Sequence, residues 1–327
     1  MNRHILLLVF LMTIAIPGVV YSSMQKWKDL PEEIDYTTET EIEEGVVSVL
    51  AGENVFNIDL EAYVQCVILG EIPASFEMET LKAQAVATRT YTLKHMSQTR
   101  KHDQAFLCTD STCCQAFCNL HDYLNSGGSQ EDIDRIQEAV METRGEVLYY
   151  DRQLIDATYF AASGGRTEAA VEVWGADVPY LQSVDSPAEQ AYRYENCCTQ
   201  FSHQEFLEKL ELPIKFAERI TCNDLKYTKG GGVASVTVCG EHFTGKEIRE
   251  RLKLPSTVFG INVGETCITV TTNGNGHRVG MSQYGADAMA AQGKMYTEIL
   301  AHYYPGTNVH QMTREEIEGV FDKAGIL

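Results

Sequence analysis

Glu71 stands where an apolar turn separates two helical patterns. In EAYVQCVILGEIPASFEMETLKAQAVATRTY, residues 61–91, the first pattern ends near Gly70. The chain then turns through Pro73, and an Ala-rich helix restarts from about Met78. Leu69, Ile72, Pro73 and Phe76 surround the carboxyl in sequence. Partial desolvation there favours the neutral acid, the form a proton donor needs near neutral pH. For any one Glu in a chain with 46 acidic residues, capping or a salt bridge at the core edge is the competing role. On the following helix Lys82 and Arg89 are seven residues apart and project from nearly the same face. They are candidates to position a substrate or orient Glu71; a solvated basic stripe is the alternative.

A second constellation lies just beyond that helix. In KHDQAFLCTDSTCCQAFC, residues 101–118, His102, Cys108 and Cys114 recur every six residues, a soft donor set suited to tetrahedral zinc with a fourth position open. Cys113, Cys118 and His121 are possible substitutes, and a disulfide within Cys108 to Cys118 is the competing structure. Among the other cysteines of the ten, Cys197, Cys198, Cys222 and Cys239 look more like crosslinks than a second metal site. Cys66 and Cys267 read as small buried residues.

The elements that must position these groups are irregularly mixed. Strand patterns fall at Val46 to Leu50, Val55 to Leu60, Glu146 to Tyr150, Leu154 to Phe160, Val233 to Cys239 and Cys267 to Thr272. The third and fourth are joined by Asp151-Arg152-Gln153 as a β-hairpin. Helix starts are marked by Ser129, by Ser202 with Glu205, and by Thr244 with Glu247. The order is not a strict βαβ alternation, so the expected class is α+β: a mixed core, with an inserted secondary lobe at about 190–262 flanking a substrate groove. The NSGGS stretch at 125–129 and the KGGG stretch at 229–232 are loops.

Twenty-six basic residues against 46 acidic ones give a net charge of −20, which repels phosphate backbones and excludes nucleic acid as a general partner. The uncharged run Ile5 to Tyr21 meets a membrane, as an uncleaved anchor or as a signal segment cut near Val20-Tyr21-Ser22. Either outcome sends the rest outside the cytoplasm. Residues 1–24 are read as this segment and 25–45 as an acidic linker, rich in Glu between Glu32 and Glu44 and without a basic residue there. The folded part is then 46–327.

GEIPASFEMETLKAQAVATRTY, from Gly70, resembles the signature of the stage II sporulation protein D family. Two further blocks agree in the same chain order: YFAASGGRTEAAVEVWGADVPYLQSVDSP, from Tyr159 to Pro187, and GNGHRVGMSQYGADAMAAQG, from Gly274 to Gly293. The resemblance implies a peptidoglycan lytic transglycosylase of forespore engulfment, cleaving between N-acetylmuramic acid and N-acetylglucosamine to leave 1,6-anhydro-muramic ends. It places Glu71 at the family's catalytic acid, and Lys82, Gln84 and Arg89 along the groove. Ser163, Gly164 and Gly165 offer backbone N–H groups for close approach to sugar hydroxyls, a tight turn being the plainer reading. His277 and Gln283 are expected sugar contacts on the other wall.

Because clostridial members bind zinc through a His and two Cys, the resemblance also implies zinc at His102, Cys108 and Cys114, structural rather than catalytic. It implies a single-span anchor, a catalytic domain in the space between mother cell and forespore, and glycan strands stripped of stem peptides as the substrate. The implied protein partners are the stage II sporulation protein P amidase and stage II sporulation protein M. Two other functional classes stay open at this point: a noncatalytic peptidoglycan-binding amidase enhancer, and a zinc hydrolase with Glu71 as base.

Overall fold

A computed structural model of the chain describes residues 45–98, 100–186, 189 and 192–324. The expected membrane segment at 1–24, and all of the acidic linker but Gly45, lie outside the described residues. Among those described, no helix is long and apolar enough to cross a membrane. The described residues belong to one compact unit, and the class is α+β.

The chain opens with a hairpin, β1 (Val46–Ala51) and β2 (Asn54–Asp59), which runs directly into α1 (Leu60–Glu71). Asp59 caps that helix by accepting from the backbone N–H groups of Glu61 and Ala62. After the Pro73 turn comes α2 (Met78–Met96), the central element of the fold. It is buried around most of its circumference, because Ala83, Ala85 and Ala87 let neighbours approach closely while Thr90 and Thr92 return their hydroxyls to the carbonyls of Val86 and Thr88. β3 (Leu107–Cys108) lies parallel to β1. Two helices follow, α3 (Leu120–Asn125) and α4 (Gln130–Glu142), the latter opened by a capping box between Ser129 and Asp132.

The hairpin β4 (Glu146–Tyr150) and β5 (Gln153–Leu154) turns through Asp151 and Arg152, both at positive φ. The expected single strand from Leu154 to Phe160 is instead two. Leu154 pairs with Tyr149, whereas β6 (Tyr159–Phe160) belongs to another sheet, parallel to β13 (Met281–Ser282). A short helix, α5 (Ala170–Trp174), follows β6.

From there the chain builds a second core. It contains β7 (Cys197–Ser202), α6 (His203–Lys209), β8 (Cys222–Tyr227), β9 (Val233–Val238), β10 (Glu241–Thr244), α7 (Gly245–Leu252), β11 (Val258–Val263) and β12 (Cys267–Asn273). These form two three-stranded sheets, β10-β9-β8 and β11-β12-β7. Their apolar cluster runs from Phe201 to Val270, past the expected limit near 262, because β12 pairs with both β11 and β7. The described cysteines are all free thiols, so the crosslinks expected among Cys197, Cys198, Cys222 and Cys239 are not formed in this structure.

The chain then returns to the first core through β13, α8 (Gln283–Ala291), α9 (Tyr296–Tyr303), β14 (Asn308–Gln311) and α10 (Arg314–Ala324). In that core Ala83, Val86 and Ala87 of α2 meet Leu148, Val279, Met281, Leu300 and Tyr303. The N-terminus of α8 is thereby carried to the side of α2.

Candidate active site

Glu71 is the last residue of α1 and is half-buried. The backbone N–H of Ala116 donates to its Oε1 at 2.7 Å, and Gln283 Nε2 donates to Oε2 at 3.4 Å. Burial raises its pKa above the ordinary carboxylate value, and these two donors pull it partly back. The upward push comes from loss of water around the carboxyl. A like charge, as in a carboxylate dyad, is not its cause.

Three separate elements bring these groups together. Ser282 caps α8 by accepting from the Gly285 N–H, which fixes Gln283 at the first helical position. From α2, Gln84 lies fully buried beside it: Gln283 Nε2 reaches Gln84 Oε1 at 3.5 Å, and Gln84 Nε2 donates to Thr88 Oγ1 at 3.2 Å. The loop carrying Ala116 packs across the end of α1, where Cys118 N–H donates to the Cys66 carbonyl at 2.9 Å. Gly70 permits this approach, since a Cβ there would lie 3.0 Å from Phe117 N and 3.2 Å from Ala116 C. The neighbouring Gln115 joins a buried hydroxyl network, donating to Tyr159 OH at 2.7 Å and accepting from Tyr63 OH at 3.3 Å and Thr92 Oγ1 at 3.2 Å.

Aromatic rings stand on the segments that carry these groups, Phe76 five residues after Glu71 and Tyr284 next to Gln283. Phe76 meets Tyr284 edge-on at 5.1 Å, and Tyr284 meets Tyr194 in the same way at 5.8 Å. This row runs toward a cavity of about 280 Å³ lined by Gly164, Gly165, Glu189, Tyr194, Asn196 and Asn273. A larger cavity of about 410 Å³, against Lys94, Tyr149 and Glu316, shares no residue with the groups around Glu71.

The remaining expected site residues are placed as follows. Arg89 is fully buried, with Nε and Nη2 bound to Glu61 Oε1 and Oε2 at 2.7 and 2.6 Å and Nη1 donating to the Glu146 carbonyl. It ties α1 to α2 and β4 and cannot line a groove, because its guanidinium is committed to the core. Lys82 is two positions from Gln84, about 200° around the helix, and pairs with Glu79 at 3.0 Å and Glu142 at 2.6 Å. Neither basic side chain orients Glu71.

Ser163 is buried and turns its N–H inward, to Glu189 Oε2 at 2.9 Å; the Gly164 N–H follows at 3.3 Å. Those amides are occupied by a carboxylate; Gly164 lets the backbone of Asn273 approach, a Cβ there lying 3.3 Å from Asn273 C, and Gly165 contributes open space along the cavity wall. A Cβ at Gly165 would meet nothing within 4 Å. His277 packs between Phe160 at 5.8 Å and the half-exposed Trp174 at 5.3 Å, and its Nδ1 accepts from the Val279 N–H at 3.2 Å. Burial, with the Arg249 charge in support, pushes its pKa down to about 4, leaving a neutral imidazole. The structure does not bring it to Glu71.

Sequence reasoning missed Tyr63, Gln115, Ala116, Tyr159 and Glu189. Only Gln115 and Ala116 carried a signal, their place between Cys114 and Cys118.

Beyond α2, His102, Cys108, Cys113 and Cys114 bring four donor atoms within 4.8 Å of one another. Cys114 Sγ is 3.5 Å from His102 Nε2, and Cys113 Sγ is 3.9 Å from both. Zn–S and Zn–N bonds of about 2.3 and 2.0–2.1 Å set tetrahedral edges of roughly 3.5–3.8 Å, so thiolate and imidazole donors of this kind fit a zinc-sized cation. Burial pushes the Cys114 thiol up to about 12.

A family model described as stage II sporulation protein matches residues 50–150, a span holding Glu71, Gln84 and the His/Cys cluster. The chain is 36% identical over 282 residues to stage II sporulation protein D of Bacillus amyloliquefaciens, covering 84% of this chain and 81% of that protein. It is also 36% identical over 265 residues to the protein of that name from Bacillus subtilis (strain 168), covering 80% and 77%. Similarity to the amidase enhancer of Bacillus subtilis (strain 168) is lower, 28% over 296 residues, with 74% of this chain and 39% of that protein covered.

Proposed function

We propose that this chain, which belongs to the stage II sporulation protein D family, is a lytic transglycosylase acting on peptidoglycan glycan strands during engulfment. The observation that carries the reading is the setting of Glu71: one carboxyl whose pKa is raised by burial, with one oxygen fixed by Ala116 and the other facing the Gln283 amide.

A single carboxyl suffices for the reaction. Glu71 gives its proton to the glycosidic oxygen as the bond to muramic acid C1 breaks, and the departing N-acetylglucosamine keeps it as a hydroxyl. The muramic acid C6 hydroxyl closes on C1 and returns its proton to the carboxylate, leaving a 1,6-anhydro ring and a regenerated acid. Gln283 serves both protonation states, since its amide presents a donor to the carboxylate and, turned over, an acceptor to the acid. Tyr284 and Tyr194, both partly exposed, give pyranose rings apolar faces to lie against, with the buried Phe76 behind Tyr284.

His102, Cys108 and Cys114 would hold zinc, whose contribution here is to crosslink the loop behind the acid; the proton chemistry belongs to Glu71. By family membership, the site of action is the space between mother cell and forespore, with residues 1–24 as the anchor. Its partners are then the stage II sporulation protein P amidase, which strips stem peptides, and stage II sporulation protein M. The test is mass spectrometry of products from glycan freed of stem peptides. Anhydro-muramic ends support the transglycosylase. Binding without cleavage would favour an amidase enhancer, and hydrated reducing ends would favour a hydrolase.

A further inference from the structure

Glu189 does not touch Glu71, yet it grips the residue next to one that does. Its carboxylate gathers four donors from three stretches of chain. Oε2 accepts from the Ser163 N–H at 2.9 Å and the Gly164 N–H at 3.3 Å. Oε1 accepts from Ser186 Oγ at 2.7 Å and from Ser282 Oγ at 2.6 Å. Bonds to an ionised carboxylate are the strong kind, and both serines are buried.

What the carboxylate grips is the start of α8. Ser282 Oγ donates to Glu189 while accepting from the Gly285 N–H at 3.3 Å, the bond that caps the helix. A hydroxyl has one proton, so Glu189 sets where that proton points and leaves the lone pairs to the cap. The Ala161 carbonyl, at 3.4 Å, is the weaker alternative acceptor. Gly285 keeps the space open, because a Cβ there would collide with Ser186 Oγ and Tyr303 OH and lie 3.0 Å from Glu189 Oε1. Ser186 Oγ also meets Tyr303 OH at 2.7 Å, which ties the same carboxylate to α9.

Gln283 follows Ser282 directly, and both of its contacts are long: 3.4 Å to Glu71 Oε2 and 3.5 Å to Gln84 Oε1. At such lengths a displacement of a few tenths of an ångström ends the bond. The position of the α8 N-terminus therefore decides whether Glu71 has its second donor.

We propose that Glu189 is a positioning residue of the active site, which acts through Ser282 to hold the start of α8 and so keeps the Gln283 amide on the Glu71 carboxyl. The proposal deepens the transglycosylase reading and rests on it only in calling Glu71 the acid.

NMR titration of the Glu71 side-chain carboxyl in the full chain tests it without glycan. The titratable groups facing Glu71 are Tyr63 and Tyr159, whose pKa values burial raises well above the ordinary tyrosine value, so neither titrates in the carboxyl range. Two effects of Glu189→Ala oppose each other. Loss of a negative charge favours the ionised form of Glu71 and lowers its pKa, whereas loss of the Ser282 grip frees the Gln283 donor and raises it. A rise therefore identifies the grip. Glu189→Ala should raise the Glu71 pKa to the value found in Gln283→Leu. Glu189→Gln should leave it at or slightly below wild type, since the amide oxygen can face the two N–H groups and the NH2 the two hydroxyls. Ser282→Ala, which leaves the other three donors on Glu189, should raise it as well and serves if Glu189→Ala does not fold. The double variant Glu189→Ala with Gln283→Leu should titrate no higher than Gln283→Leu alone, because one route carries both effects. A Glu71 pKa in Glu189→Ala no higher than in Glu189→Gln would overturn the proposal, as would an unchanged value in folded Ser282→Ala or a further rise in the double variant. Since none of these outcomes depends on turnover, absence of anhydro products would count against the transglycosylase and leave this assignment standing.

Discussion

Gln283 Nε2 lies 3.4 Å from Glu71 Oε2 although 212 residues separate them in the chain. The contact exists because β13 pairs with β6 and delivers the start of α8 to the end of α1. The amide steadies the carboxylate form and so lowers the Glu71 pKa. Gln283→Leu removes that donor, and the pKa then rises further. The alkaline limb of the rate profile, where the acid loses its proton, should move to higher pH. The maximal rate should fall about tenfold, the low end for a bond to a charged group. A pH–rate series on the variant checks both.

Glu71 also leaves a mark on stability. Its folded pKa is raised above the ordinary 4.5, so the unfolded chain releases this proton at lower pH than the native protein does. The native state therefore loses relative stability as pH rises from near 4.5 up to the folded pKa, and the loss is complete above it. Glu71→Gln abolishes the titration. The variant should melt higher than wild type at pH 7 and draw level below pH 4, as measured by calorimetry at the two pH values.

Arg89 and Lys82 should separate sharply by urea unfolding. Arg89→Met strands Glu61 in the core and should cost about 3–5 kcal/mol. Lys82→Met removes partly solvated pairs with Glu79 and Glu142 and should cost no more than about 1 kcal/mol.

How far the sequence discloses this site depends on whether the signal is local. Pro73 and the Ala-rich run place α1 and α2 almost to the residue, and the Asp151-Arg152 turn gives the β4-β5 hairpin. The Glu71 setting is readable for the same reason, since its apolar neighbours are adjacent in the chain. Arg89 is the opposite case: a basic residue on a helix face gives no hint that Glu61, on another helix, will take its guanidinium into the core. Likewise Ser163-Gly164-Gly165 looks like a row of free amides until Glu189 folds back onto them. The run from Leu154 to Phe160 has strand composition throughout, but its two ends find partners in different sheets, which only tertiary pairing decides.

His277 provides a test of the groove's titrating groups. Burial and Arg249 hold its imidazole neutral down to about pH 4. The rate profile should therefore have no inflection at the usual histidine range of about 6–7, and His277→Gln should not alter the profile's shape. Loss of a limb in that range in the variant would show a histidine proton in the reaction.

The most direct measurement of Glu71's role is product analysis with glycan freed of stem peptides, comparing wild type with Glu71→Gln in parallel with a binding assay. Glu77 and Glu79, at the start of α2 where acids suit the helix dipole, serve as controls, and their Gln variants should cleave within a few-fold of wild type. Wild type should yield 1,6-anhydro-muramic ends. The Glu71→Gln protein should bind glycan as tightly and yield none above background, because an amide keeps the shape and cannot exchange the proton. Cleavage by Glu71→Gln at near wild-type rate would contradict the single-carboxyl mechanism.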